Sequence, residues 1–311
     1  MDVVEELLKL AERAARERPT RLPSGTWPEE LKPVIEWLRS LSPMKVKVAY
    51  LGPPGSYTHE AASLVFPKEE LVSKGSIPEV FESVEKGEAD FGVVPIANRL
   101  EGPVNETIDA FLQSHVKVYY DVEIPIRIML ASGTVKDVKE IKRVYGHPMI
   151  FKQATKLLKE LGVEQVPTSS TSEAARIAAQ EPGAAALCSP KAVEMYKLKV
   201  LRANVEDKPH NATRFFVIHK RDNPEGDKTA LLASVPHRPG GLFEFLKPFA
   251  ERGINLTMIY SRPLKDHPWR YVFYIETEGS REALKEVLEE ASKISSFLKI
   301  LGSYTKLDLT G

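Results

Sequence analysis

From position 46 onward the chain alternates short apolar runs with stretches whose apolar positions recur at helical spacing. Residues 46–51 read as a strand and 56–65 as a helix. The turn Gly87-Glu88-Ala89-Asp90 leads into 91–95, a continuous apolar run that predicts a buried strand. A helix is expected over 107–113, strands over 116–122 and 126–130, and a helix over 151–161. Ser170-Thr171-Ser172-Glu173 has the form of a capping box and opens another helix. Residues 184–188 predict a second buried strand and 215–219 a later one. Strands alternating with helices predict an α/β architecture with mostly parallel sheets.

The pattern changes after the polar, turn-rich stretch 220–228. Strands are expected over 231–235, 257–261, 271–275 and 297–301, with a polar loop at 265–268. Leu242, Phe245, Leu246 and Phe249 form one helical stripe, and Leu284, Val287, Leu288 and Ala291 form another. The resulting βαββαβ order predicts a ferredoxin-like domain. In front, Val4, Leu7, Leu8 and Ala11 make the apolar stripe of a short helix. A second short helix starts at Trp27 and ends near Pro43, and Met44 is a candidate start residue. The expected division is a helical extension over 1–43, a first α/β domain over 44–221 and a second domain over 228–306.

Composition narrows the class. The 311 residues carry 43 Lys+Arg and 43 Asp+Glu, a formal net charge of +0. Nothing in that balance favours nucleic acid or an anionic membrane as a partner. No apolar run approaches the roughly 20 residues of a membrane span. The charged, amphipathic start is unlike a secretory signal. Cys188 is the single cysteine, so no intrachain disulfide forms, which fits a reducing, cytoplasmic location. It follows an apolar run and reads as core. The His and Cys residues show no zinc spacing, so no metal is expected.

Candidate chemistry concentrates in a few strings. Gly52-Pro53-Pro54-Gly55 turns sharply between a strand and a helix, and Ser56, Tyr57 and Thr58 follow at the helix N-terminus. Hydroxyls and free amides there either cap the helix or hold a carboxylate. Ser170 and Thr171 allow the same two readings. Asn98 ends a buried strand, a favoured ligand position in α/β sheets. Asn211-Ala212-Thr213-Arg214-Phe215 sets a carboxamide, a hydroxyl, a fixed cation and an aromatic ring side by side. Arg214 reads equally as a substrate contact or the partner of a structural carboxylate.

Taken together, Gly52-Pro53-x-Gly55-Ser56-Tyr57-Thr58, Val94-Pro95-Ile96-x-Asn98, Ser170-Thr171-x-x-Ala174-Ala175 and Asn211-x-Thr213-Arg214-Phe215 resemble the prephenate dehydratase family. Arg238-Pro239-Gly240-Gly241-Leu242 and Asn255 to Pro263 resemble the two signatures of an ACT regulatory domain. The likeness spans roughly 45–306. It has departures: Ala97 and Tyr260 each stand where Glu is usual.

The resemblance implies a bilobal catalytic domain, like a periplasmic binding protein, followed by a ferredoxin-like ACT domain. The implied activity is that of a carbon–oxygen lyase, converting prephenate to phenylpyruvate for phenylalanine biosynthesis with no cofactor. Thr213 and Arg214 would be catalytic. Ser56, Tyr57, Thr58, Asn98, Ser170, Thr171, Asn211 and Phe215 would bind substrate. L-Phenylalanine would act as feedback effector near Gly240, Gly241, Leu242, Asn255, Leu256, Ser261 and Arg262. ACT pairing implies a homodimer or tetramer. Arogenate dehydratase is the near alternative, and a non-catalytic aromatic amino-acid sensor the distant one. The 1–43 segment is too short for a fused chorismate mutase.

Overall fold

The computed structural model describes residues 46–223, 226–263 and 271–309. The expectations for 1–43, for Met44 and for the loop at 265–268 lie outside those residues. From Lys47 onward the chain forms one compact unit.

The first lobe starts with β1 (Lys47–Leu51), α1 (Tyr57–Val65), β2 (Glu70–Lys74) and α2 (Ile77–Lys86). It continues with β3 (Phe91–Asn98), the short β4 (Gly102–Pro103), α3 (Asn105–Gln113) and β5 (Lys117–Pro125). The chain then crosses to a second lobe. There lie β6 (Met129–Ser132), β7 (Arg143–Gly146), α4 (Pro148–Gln153), α5 (Thr155–Leu161), β8 (Glu164–Pro167), α6 (Thr171–Ala178), β9 (Ala184–Cys188), α7 (Pro190–Tyr196) and β10 (Lys199–Arg202). It returns through β11 (Ala212–His219), which inserts antiparallel between β3 and β5. Two crossings between two sheets give the bilobal form that the motifs imply.

The sheets are more mixed than the alternation predicts. Parallel pairing holds for β1 with β2 and β3, and for β7 with β8 and β9. The returning strand β11 and the strands β6 and β10 run antiparallel. The helix expected over 151–161 is two helices, broken at Ala154. Ala154 is fully buried within the second-lobe core, and Asp207 accepts from the Thr155 and Lys156 amides that start the second helix. β2 and α2 were not expected. α2 buries Ile77, Val80, Phe81 and Val84 on one face, at a spacing that is legible afterwards. β9 is buried on both sides: Ala185 and Leu187 join one core, and Ala184, Ala186 and Cys188 another.

The last part has the expected order: β12 (Lys228–Ser234), α8 (Gly241–Glu251), β13 (Leu256–Pro263), β14 (Tyr271–Glu278), α9 (Lys285–Ile294) and β15 (Phe297–Leu307). Strand order β13-β14-β12-β15 is that of a ferredoxin-like sheet. It is not a separate body. β15 pairs in parallel with β5 over Thr305–Leu307, so the catalytic and C-terminal sheets form one continuous sheet. Period-2 alternation splits β12 between two cores. Leu231 and Ala233 pack against α8 and α9 with Phe245, Phe249 and Leu288. Ala230 and Leu232 face the first lobe, sharing one core with Tyr274, Tyr304, Phe111, Phe216 and Ile218. The stretch expected to be a linker is also anchored: Asn223 is buried and donates to the Tyr119 carbonyl.

Where β15 crosses from β12 to β5, Gly302 has φ +143, and a Cβ there would lie 2.6 Å from the Val118 carbonyl oxygen. Only glycine allows this approach. Gly302→Ala is therefore expected to destabilise the whole chain, by about 1–3 kcal/mol from the backbone conformation alone. Thermal unfolding measures it, and an unchanged midpoint contradicts this account of the junction.

Candidate active site

Thr213 and Asn98 face each other across the β3–β11 pair. The Asn98 Nδ2 donates to Thr213 Oγ1 at 2.9 Å and to the Ala212 carbonyl at 3.2 Å. Its Oδ1 accepts from the backbone amides of Leu100 and Glu101 at 2.9 and 3.1 Å. Two backbone donors on one side fix which end of the carboxamide is oxygen. Thr213 Oγ1 is thus the acceptor of this bond, and its own proton is left to donate elsewhere. The end of β3 is held further by Thr107, whose hydroxyl donates to the Pro95 carbonyl at 2.6 Å. Thr213 is buried, at 9% exposed.

The Gly52–Gly55 turn is tied to the second lobe. Ser189 Oγ donates to the Gly55 carbonyl at 2.6 Å, and Ser172 Oγ donates to the Pro54 carbonyl. Gly55 has φ +87, and a Cβ there would meet Ser172 Oγ at 2.8 Å. Between the lobes lies an open cleft of about 570 Å³, lined in part by Pro53, Pro54, Lys74, Ser170 and Arg176. Lys74 and Arg176 give it two cations and Glu173 a carboxylate, and Thr213 and Asn98 are not among its lining residues.

The other expected substrate residues divide. Ser56 Oγ accepts from the His59 amide and Ser170 Oγ from the Glu173 amide, so both are helix caps. Thr171 opens α6 beside that cleft. The Tyr57 hydroxyl donates to the Arg127 carbonyl at the lobe crossing, and Thr58 is buried. Asn211 is buried with its Oδ1 unpartnered, an acceptor two residues from Thr213. Phe215 is 1% exposed and belongs to the interior.

Of the two readings for Arg214, the structure shows the partner of structural carboxylates. Its Nε reaches both Asp121 oxygens at 3.2 Å, and its Nη2 reaches Asp121 Oδ2 at 2.8 Å. Nη1 and Nη2 reach the two oxygens of Glu276 at 3.2 and 2.8 Å. Tyr274 and Tyr304 donate their hydroxyls to Glu276 at 2.6 and 2.9 Å. Burial alone would weaken the proton affinity of Arg214, but Glu276 and Asp121 outweigh it and hold the guanidinium charged. Burial pushes the Asp121 carboxyl up, and Arg214 opposes that. Removing one partner of such a buried set costs about 3–5 kcal/mol. Sequence reasoning missed Asp121 and Glu276. Their signal was an acid inside each of two apolar strands.

Among the expected effector residues, Leu242 lines a cavity of about 330 Å³ with Ser234, Pro236, Arg238, Tyr271 and Phe273. Gly240 caps α8 in the left-handed region, and Gly241 starts it. Asn255, Leu256, Ser261 and Arg262 do not line that cavity. Arg262 pairs with Asp109 of α3 at 2.6 and 2.5 Å, and Tyr260 donates to Asn105 at 3.1 Å. Lys299 donates to the Phe111, Leu112 and Ser114 carbonyls at the end of the same helix. The C-terminal domain thus grips α3 at its start, middle and end. Cys188 is fully buried, which pushes its thiol up to about 12. Among the described residues, no group of three His, Cys, Asp or Glu could hold a metal, and no helix is long and apolar enough to cross a membrane.

Glu60 has a fully buried Oε2 without a hydrogen-bond partner. Burial raises its carboxyl from the usual 4.5 to about 7, with Lys191 partly offsetting this. The folded state therefore binds this proton more tightly than the unfolded chain. The resulting stability is complete below about 4.5 and lost as pH rises through about 7. Its full extent is no more than about 3 kcal/mol. Glu60→Gln should flatten this fall and raise the unfolding midpoint at about pH 8 more than at about pH 5. Parallel pH profiles for the two proteins would contradict the assignment.

Comparison with known proteins gives the same reading. The family model for prephenate dehydratase matches residues 48–223, and that for the ACT domain matches 229–295. The bifunctional chorismate mutase/prephenate dehydratase of Aquifex aeolicus is 40% identical over 294 residues, covering 91% of this chain and 81% of that protein. The crystal structure of prephenate dehydratase from Arthrobacter aurescens in complex with L-Phe has a TM-score of 0.77 at 30% identity, covering 84% of this chain and 90% of that one. A protein described as a novel type of quorum quenching acylase has a TM-score of 0.78 at 26% identity, covering 85% and 100%. By its matched catalytic segment and its 40% identical relative, the chain belongs to the prephenate dehydratase family and carries an ACT domain after the catalytic one.

Proposed function

We infer that this protein catalyses the decarboxylative dehydration of prephenate to phenylpyruvate, a step toward L-phenylalanine, and that phenylalanine regulates it. The observation that carries the reading is the Asn98–Thr213 hydrogen bond, which leaves the Thr213 proton free to donate. In the reaction the C1–carboxylate bond breaks and CO2 leaves. Its electron pair enters the ring, and the C4–oxygen bond breaks with its pair as the ring becomes aromatic. The leaving oxygen takes up one proton to depart as water. Thr213 hydrogen-bonds that oxygen as negative charge develops on it. A threonine hydroxyl is too weak an acid to act alone, so orientation and electrostatic stabilisation contribute most. Aromatisation supplies the driving force, so no redox or organic cofactor is needed.

Arg214 serves from behind, holding the strand that carries Thr213. An acylase reading has less support: Thr213 Oγ1 is bound by a carboxamide, not by a base that would activate it. We place the protein in the cytoplasm, where its buried thiol stays reduced. We propose a homodimer or tetramer joined through the C-terminal domains, whose edge strand β13 exposes Thr257, Ile259 and Ser261 in the single chain.

Purified protein should convert prephenate to phenylpyruvate, followed by its absorbance in alkali. Activity on arogenate alone would assign the near alternative, and inactivity on both would refute the reading. Thr213→Val should lower kcat by about 10²–10⁴-fold with the fold retained; a variant as active as wild type removes Thr213 from the chemistry. Phenylalanine should bind the full-length protein in calorimetry and change its affinity for substrate by roughly 5–150-fold. Absence of binding would reduce the C-terminal domain to an architectural role.

A further inference from the structure

We propose that Glu276, a residue of the C-terminal domain, is a positioning residue for the dehydration, acting through Arg214 on the hydroxyl of Thr213. The proposal rests on the prephenate dehydratase reading and names a device within it. Thr213 and Arg214 are neighbours on β11, so their side chains leave opposite faces of the strand. One face meets Asn98. The other is held by a guanidinium bound at both ends, to Asp121 of the adjacent strand β5 and to Glu276 of β14.

Glu276 is itself fixed. Both of its oxygens accept a tyrosine hydroxyl, from Tyr274 on its own strand and Tyr304 on β15, and it is 1% exposed. Burial and the Glu276 charge raise both phenols well above their usual value, so they remain donors. A carboxylate this constrained cannot follow Arg214; Arg214 follows it. The β3–β11 pairing shifts register where Ile96 of β3 is passed over, between Arg214 opposite Ala97 and Phe215 opposite Pro95, while at that point β11 stays in regular register with β5. The strand with the extra residue is the one that bends, so β11, which Arg214 anchors, is the regular side against which Asn98 is set. Here the anchor comes from another domain. Small shifts of a catalytic group cost up to about 100-fold in rate.

The test uses the full-length protein. Glu276→Gln keeps the shape and the acceptor for one tyrosine but removes the charge that holds Arg214. Its kcat for prephenate should fall about 10- to 100-fold, with KM within about threefold of wild type, well below its unfolding midpoint. Lys299→Met is the control. It cuts a different contact of the same junction, with the end of α3, and touches neither β11 nor Arg214. It should lose stability and keep kcat. In protein labelled at threonine methyls, the Thr213 resonance should move in Glu276→Gln and stay in place in Lys299→Met. Wild-type kcat in a folded Glu276→Gln protein, an unmoved Thr213 methyl, or an equal kcat loss in Lys299→Met would each overturn the proposal. A wild type inactive on prephenate would instead refute the functional reading, and the methyl resonance would still decide the positioning.

Discussion

A buried guanidinium between two carboxylates ties this molecule together. Arg214 lies behind the candidate catalytic strand, Asp121 on the strand beside it, and Glu276 in the domain that follows. Two negative charges and one positive in a nearly dry site hold only if every lone pair and proton finds a partner. Tyr274 and Tyr304 supply the remaining donors. The surrounding apolar core obeys the same arrangement: Phe216 of the first lobe packs near Tyr304 of the last strand, with ring centroids 5.3 Å apart. Charge and packing together make the C-terminal domain part of the wall against which β11 is built.

Much of the architecture was legible in the sequence, because it rests on local pattern. The strand over 46–51, the helix after Ser56 and the βαββαβ order each follow from periodicity and turn residues. What escaped depends on pairing between distant segments. Nothing local marks β11 as antiparallel to both neighbours, since it reaches them only after the chain returns from the second lobe. The stretch 220–228 is polar and reads as a linker, yet Asn223 is buried once β15 joins β5.

The candidate site divides along the same line. Asn98 and Thr213 were identifiable by residue type, and the structure brings them within a hydrogen bond. Arg214 shares the same string, but strand alternation turns it to the opposite face from Thr213, and Phe215 is taken up by the interior. Arg262 belongs to an effector signature by sequence and grips α3 in space. A string of residues gives chemistry; only the pairing of strands says which face that chemistry serves. The likeness to a protein described as an acylase makes the same point, since one fold carries several activities and the side chains at the site choose among them.

The central claim is that the candidate catalytic strand and the C-terminal sheet form one cooperative structure. Native-state amide hydrogen exchange tests it directly, by comparing the slowest amides of β11 (Ala212–His219) with those of β14 (Tyr271–Glu278). The account predicts one shared opening free energy for the two strands, and a common decrease in Glu276→Gln. Opening of β14 at a much lower free energy, with β11 still protected, would show that the C-terminal domain is a separable attachment.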